Sequence, residues 1–225
     1  MRRRISGQTE SLARQFDRVL GLLESWGYLD GWSLTHRGEA LVRLFHESDL
    51  LLAEVLEKGL FDDLAPAALA GLASCFTYEH RSPEPPPPPW FPDASLQRRF
   101  ARIDQIARRL NEDERSARIP QTREPDPTFV PSAHAWAAGE SLNDVLIEEE
   151  VSGGDFVRNI KQLIDLLRQI AGAASNTETS RAAFQAADAL FRGVVAASSS
   201  IESSRAPAGP HLEGNPVGVD QASDR

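Results

Sequence analysis

A single cysteine, Cys75, occurs in 225 residues, which excludes an intrachain disulfide framework and any zinc site built on cysteine. No apolar run approaches the roughly 18 residues that a membrane-spanning helix needs. Behind Met1-Arg2-Arg3-Arg4 comes a polar stretch and not the apolar heart of a secretory signal, so the expected address is cytoplasmic. Lysine is almost absent: of 24 basic residues only Lys58 and Lys161 are lysine, a bias expected of a GC-rich genome. Those 24 are outweighed by 33 Asp and Glu, leaving a net charge of −9. Such a field repels phosphate and excludes a free-standing nucleic-acid clamp; any contact with a strand must be local and helped by a more basic partner.

Catalytic motifs are missing too. There is no G-x-x-x-x-G-K-[ST] phosphate loop and no G-x-G-x-x-G after a strand. The histidines at 36, 46, 80, 134 and 211 do not pair on a helix, and no nucleophile–base arrangement is visible. His46 beside Glu47 and Asp49 has metal-ligand chemistry, but a surface or cap histidine is the expected role. Glu148-Glu149-Glu150 reads as a solvated face, and Cys75 beside Phe76 as packing.

What is present is helical periodicity, 41% hydrophobic residues and an expected all-α fold. In 8–26, Leu12, Phe16, Val19, Leu20 and Leu23 make one apolar face. Gly27 to Gly31 stops that helix, and Trp32-Ser33-Leu34 is a short extended link. Thr35 is the expected N-cap of a helix over 36–46 carrying Leu41, Leu44 and Phe45. Further helices are expected at 49–58, ended by Gly59, and from Pro66 to about 79. Ser82–Pro92, with five consecutive prolines at 85–89, must be extended; it suits either a ligand for an aromatic groove or, preferably, a stiff loop tacked down by Trp90 and Phe91. Helices follow at 94–112 (Leu96, Phe100, Ile103, Ala107, Leu110), on both sides of Gly139 with Ser141 and Asp144 as a capping pair, at about 155–174, and at about 179–197. From Ile201 to 225 the periodicity is lost and a disordered tail is expected.

The helix after Gly153-Gly154 stands out. Advancing about 100° per residue gathers Phe156, Ile160, Leu163, Leu167 and Ile170 on a core face. On the other side Arg158, Gln162, Asp165 and Gln169 fall within about 40° of one line. Such a stripe is either an ordinary solvated face or a row of hydrogen-bonding side chains that track a nucleic-acid strand.

The runs Gly153-Gly154-Asp155-Phe156-Val157-Arg158 and Lys161-Gln162-Leu163-Ile164-Asp165-Leu166-Leu167-Arg168-Gln169-Ile170 resemble the DSHCT domain, the C-terminal helical domain of superkiller and exosome-type DExH-box RNA helicases. The resemblance is strongest to the HelY-like helicases of actinobacteria and covers about residues 8–200. Leu34-Thr35-His36-Arg37-Gly38, Glu47 to Glu54, Leu64 to Ala70, Tyr78-Glu79-His80-Arg81, Trp136 to Leu142 and Arg192 to Ala196 follow in family order.

The resemblance implies that 1–46 is similar to the end of a winged-helix region and that 47–200 is the DSHCT helical bundle. It also implies that the helix after the double glycine is a ratchet helix lining the exit path of a single strand. The family's contact residues carry over to Gln162 and Asp165, with Arg158 one turn earlier. The superkiller branch tends to have arginine and glutamate at the first two, so the pattern here is altered, and Ser198-Ser199-Ser200-Ile201 departs from the family's apolar ending. The two-domain motor that would bind ATP and Mg²⁺ is missing from this sequence, so no cofactor is expected in the chain itself. The expected partners are helicase motor domains, in cis or in trans, and single-stranded RNA held weakly, with no membrane. Two alternatives stand beside this accessory role. One is a stand-alone helical protein–protein adaptor without the motor. The other is a winged-helix DNA-binding regulator reading duplex with helix 36–46 through Arg37 and Arg43.

Overall fold

The computed structural model describes residues 2–146 and 152–205. They form helices joined by short loops, with one small hairpin, in agreement with the all-α expectation. In chain order come α1 (Arg2–Ser25), β1 (Leu29–Asp30), β2 (Ser33–Leu34), α2 (His36–Leu41), α3 (Asp49–Glu57), α4 (Pro66–Thr77), α5 (Ala94–Ala117), α6 (Val130–Ala138), α7 (Leu142–Leu146), α8 (Gly153–Ala173), α9 (Thr177–Leu190) and α10 (Gly193–Arg205). None of the described helices is long and apolar enough to cross a membrane.

The centre of the bundle is α4, packed by α6, α8 and α9. Its run Leu69–Phe76 is buried on every side. Small residues permit this: a Cβ added at Gly71 would lie 3.4 Å from atoms of Val130 and His134 on α6, so the two helices meet almost backbone to backbone. The five expected core residues of α8, from Phe156 to Ile170, are all fully buried. Each stabilises the bundle by about 1.5–3 kcal/mol through the apolar surface it hides. Ser152 caps α8: its Oγ accepts from the Asp155 amide at 3.2 Å and donates to the Asp155 carboxylate at 2.8 Å, so both glycines lie inside the first turn.

The front of the chain departs from the sequence expectation. The extended link at 32–34 is one arm of a hairpin, pairing Leu29 with Leu34 and Asp30 with Ser33. Thr35 caps α2 as expected, accepting from the Gly38 amide at 3.2 Å. The helix, however, stops at Leu41 and does not reach 46. Beyond it the chain tightens into turns, with the Arg43 amide on the Ala40 carbonyl and the Leu44 amide on that of Leu41. The Phe45 amide is then taken by Gln169 Oε1 of α8 at 2.7 Å, which no continuing helix would allow. On α1, Leu12 and Phe16 are exposed, since only the C-terminal part of the expected apolar face reaches the body of the bundle.

The back departs as well. One helix was expected over 179–197, but α9 ends at Leu190 and α10 starts at Gly193. Arg192 explains the break. Its guanidinium stacks 3.5 Å from the Trp136 ring centroid and donates to the Trp136 and Glu140 carbonyls at 2.7 and 2.6 Å. Gly193, at φ +51°, turns the chain beside the same ring. The α10 helix runs through Arg205, into the stretch assigned to a disordered tail; 206–225 and the Glu148-Glu149-Glu150 run lie outside the described residues. The proline-rich stretch 85–89 is exposed and free of helix or strand. Its end is tacked down as expected, Phe91 on Phe100 at 5.3 Å and Trp90 edge-on to His134 at 5.9 Å.

Candidate nucleic-acid interface

All four stripe residues face one open cleft of about 1740 Å³. Arg158, Gln162 and Asp165 are exposed and Gln169 is half-buried. The α8 helix forms one wall; the segment 45–47, the C-terminal end of α4, the proline-rich loop, Arg123, α6 and α7 supply the others. The structure thus brings the stripe together on a concave surface.

The four side chains are not equivalent. Gln169 is committed through its carbonyl oxygen to the Phe45 amide, which ties the end of the α2 segment to α8. Nearby, Arg43 donates to the Gly172 carbonyl at 3.2 Å and strengthens the same junction. Arg158 is paired with Asp155 at 2.8 Å, and Asp165 lies 3.9 Å from Arg168. Gln162 is exposed and carries no charge of its own.

Electrostatics of the cleft run against a simple phosphate clamp. Its described lining holds three arginines, Arg81, Arg123 and Arg158, against seven carboxylates. Each arginine already has an acidic partner: Glu79 for Arg81, Glu47 for Arg123, both at 2.9 Å, and Asp155 for Arg158. Arg123 also donates to the Phe76 and Tyr78 carbonyls, satisfying the end of α4, so its charge is spent on the fold.

Three lining residues escaped the sequence reading. Asn159 is polar but almost wholly buried at the edge of the stripe. Phe45, assigned to an apolar helix face, is 82% exposed on the cleft. Trp90, read only as a tack, is 47% exposed there as well. A short helix ending before Phe45 and a loop folding back are long-range outcomes, and periodicity carries no signal for them. His46 acts as a local acceptor, its Nδ1 taking the Ser48 amide at 3.1 Å, and no cluster of three metal-ligating side chains occurs among the described residues. Of the residues of the duplex-reading alternative, Arg37 on the six-residue α2 is held by Glu54 and the Trp26 carbonyl, and the exposed Arg43 beyond its end donates to the Gly172 carbonyl.

Residues 31–198 match the family model described as the DSHCT (NUC185) domain. Over 210 residues the chain is 37% identical to a protein of Mycobacterium tuberculosis named probable helicase HelY, covering 87% of the chain and 23% of that protein. A Mycobacterium leprae protein of the same name is 36% identical over the same span. Human exosome RNA helicase MTR4 is 25% identical over 171 residues, covering 72% of the chain and 16% of the helicase. The chain therefore spans about a quarter of the length of the HelY proteins, at the 23% quoted above. Ordered helices, the capped α8 and a family match over most of the chain agree: this protein belongs to the DSHCT domain family of DExH-box helicases.

Proposed function

We propose that the chain is the C-terminal accessory module of an ATP-dependent DExH-box RNA helicase acting in the cytoplasm in RNA processing. In this role α8 is a ratchet-like helix guiding single-stranded RNA, and the bundle braces the motor domains, supplied in cis or in trans. The observation that carries the reading is that Arg158, Gln162, Asp165 and Gln169 all line one open cleft. The sequence has no phosphate loop, so ATP and Mg²⁺ belong to the motor domains and not to this chain. The half-exposed or exposed state of the four side chains supports contact with a strand that slides and is not locked in place.

Fluorescence anisotropy with a labelled single-stranded RNA of about a dozen nucleotides tests this. The expectation is weak binding that prefers single strand over duplex and falls about fivefold or more in Gln162→Ala/Asp165→Ala, the loss of two hydrogen-bonding groups. Equal affinity for duplex, or no change in the double variant, rejects it.

A second reading, the stand-alone protein adaptor, draws on Leu12 and Phe16 of α1, which are 69% and 55% exposed. An adaptor binds no strand in the same titration.

A further inference from the structure

We infer that the cleft holds a single strand mainly by its bases, with Phe45 and Trp90 as stacking platforms and little contribution from phosphate contacts. This rests on the strand-guiding role proposed above and specifies how the strand is held.

The argument begins with charge. A surface that tracks a backbone needs unpaired cations, because affinity from phosphate contacts comes from releasing the strand's counterions. Here the described lining is acidic, and Arg158, the arginine on the stripe, is ion-paired to Asp155. Phosphates passing along this surface meet no net positive field, so the backbone must lie away from the wall. Bases carry no net charge, and their faces tolerate an acidic surround.

The second line is the placement of aromatic surface. Phe45 sits on the cleft wall at 82% exposure, so its ring face is open to a stacking base. Its backbone is fixed by the 2.7 Å hydrogen bond to Gln169, so the ring stands at the C-terminal end of the polar stripe. Trp90 lines the same cleft with half its surface free, held edge-on by His134 and stiffened by the prolines before it. Both are thus presented on supports that cost little further ordering on binding. On the same cleft Gln162 supplies an amide that both donates and accepts, suited to the edge of any base or to a ribose hydroxyl. Stacking is sequence-tolerant, since every base has a π-face, and that is what a strand moving through register requires.

The test uses the full chain carrying Trp32→Phe, which leaves Trp90 as the most exposed tryptophan. Two probes are compared: an oligouridine of about twelve nucleotides and an abasic ribose-phosphate strand of equal length. The expected result is quenching of Trp90 fluorescence by oligouridine, and affinity at least tenfold lower for the abasic strand. A salt dependence with a log–log slope shallower than about 1 is expected as well. Trp90→Ala or Phe45→Ala, both at exposed positions, should each cost about 5- to 150-fold with helix content unchanged. Phe45→Leu, apolar but without a flat ring, should lose nearly as much, and Trp90→Phe should retain part. Abasic strand binding as well as oligouridine, or a steep salt slope, overturns the stacking inference and leaves strand guiding intact. Failure of both strands to bind overturns both.

Discussion

Arg37 of α2 and Glu54 of α3 form an ion pair that joins the hairpin end of the molecule to the bundle. Glu54 is 2% exposed, and its carboxylate also accepts the Tyr28 hydroxyl at 2.9 Å and lies 3.2 Å from Lys58 Nζ. The Arg37 guanidinium lies over the Tyr28 ring at 4.9 Å and donates to the Trp26 carbonyl at 2.9 Å. A buried carboxylate is tolerable only with such partners, because the cost of taking it out of water must be offset locally. The desolvation of Tyr28 and its neighbour Glu54 push the phenol well above its ordinary range, so it stays a neutral donor.

Removing the arginine should therefore be expensive. Arg37→Ala leaves Glu54 with Lys58 and Tyr28 alone and is expected to cost about 3 kcal/mol, the lower end for breaking a buried pair. Adding Glu54→Gln should recover part of that loss. Urea unfolding of the two single variants and the double variant measures the coupling; additive losses would mean that the pair does not act as a unit.

Gly38 follows from the same junction. A Cβ at this position would lie 2.3 Å from the Tyr28 carbonyl oxygen and 3.0 Å from Leu34 Cδ2, so α2 and the hairpin meet at a spot where only glycine fits. Gly38→Ala must push the hairpin away and is expected to destabilise by about 1–3 kcal/mol, despite alanine's better helix propensity. Thermal unfolding checks it, and an unchanged or raised midpoint would contradict the close approach.

His46 should make stability fall with acid. Burial holds its pKa below 6.5, against the pull of Glu47 and Asp49 and together with the push of Arg123. Its Nδ1 accepts the Ser48 amide, a bond that requires an unprotonated nitrogen. With the folded pKa below the unfolded one, its contribution is fully present above about pH 6.5 and is lost as pH falls through the folded value. The stability difference between the protein and His46→Gln should shrink on acidification below 6.5; a difference independent of pH would show that this ring does not titrate with folding.

How much was legible depends on the range of each signal. Leu96, Ile103, Ala107 and Leu110 of α5, and the core face of α8, were readable because helical period is local and the buried side of an amphipathic helix is the apolar one. Thr35, Ser141 and the stripe on α8 were readable for the same reason. The end of α2 was not. It is set by Gln169, 124 positions away, capturing the Phe45 amide. Nor was the break between α9 and α10, where Arg192 is drawn onto Trp136, 56 positions back.

The sequence by itself determined the all-α class, most of the helices with the Thr35 and Ser141 caps, and the row of polar side chains on α8. Those depend on residue identity at spacings of three and four, which the chain carries wherever it folds. Only the tertiary structure decided what the row faces, and with what charge. Arg123 meets Glu47 from 76 positions away, and Phe45 and Trp90 converge on one cleft. Pairing of charges and exposure of rings depend on which distant segments return to the same place, and no local period records that return.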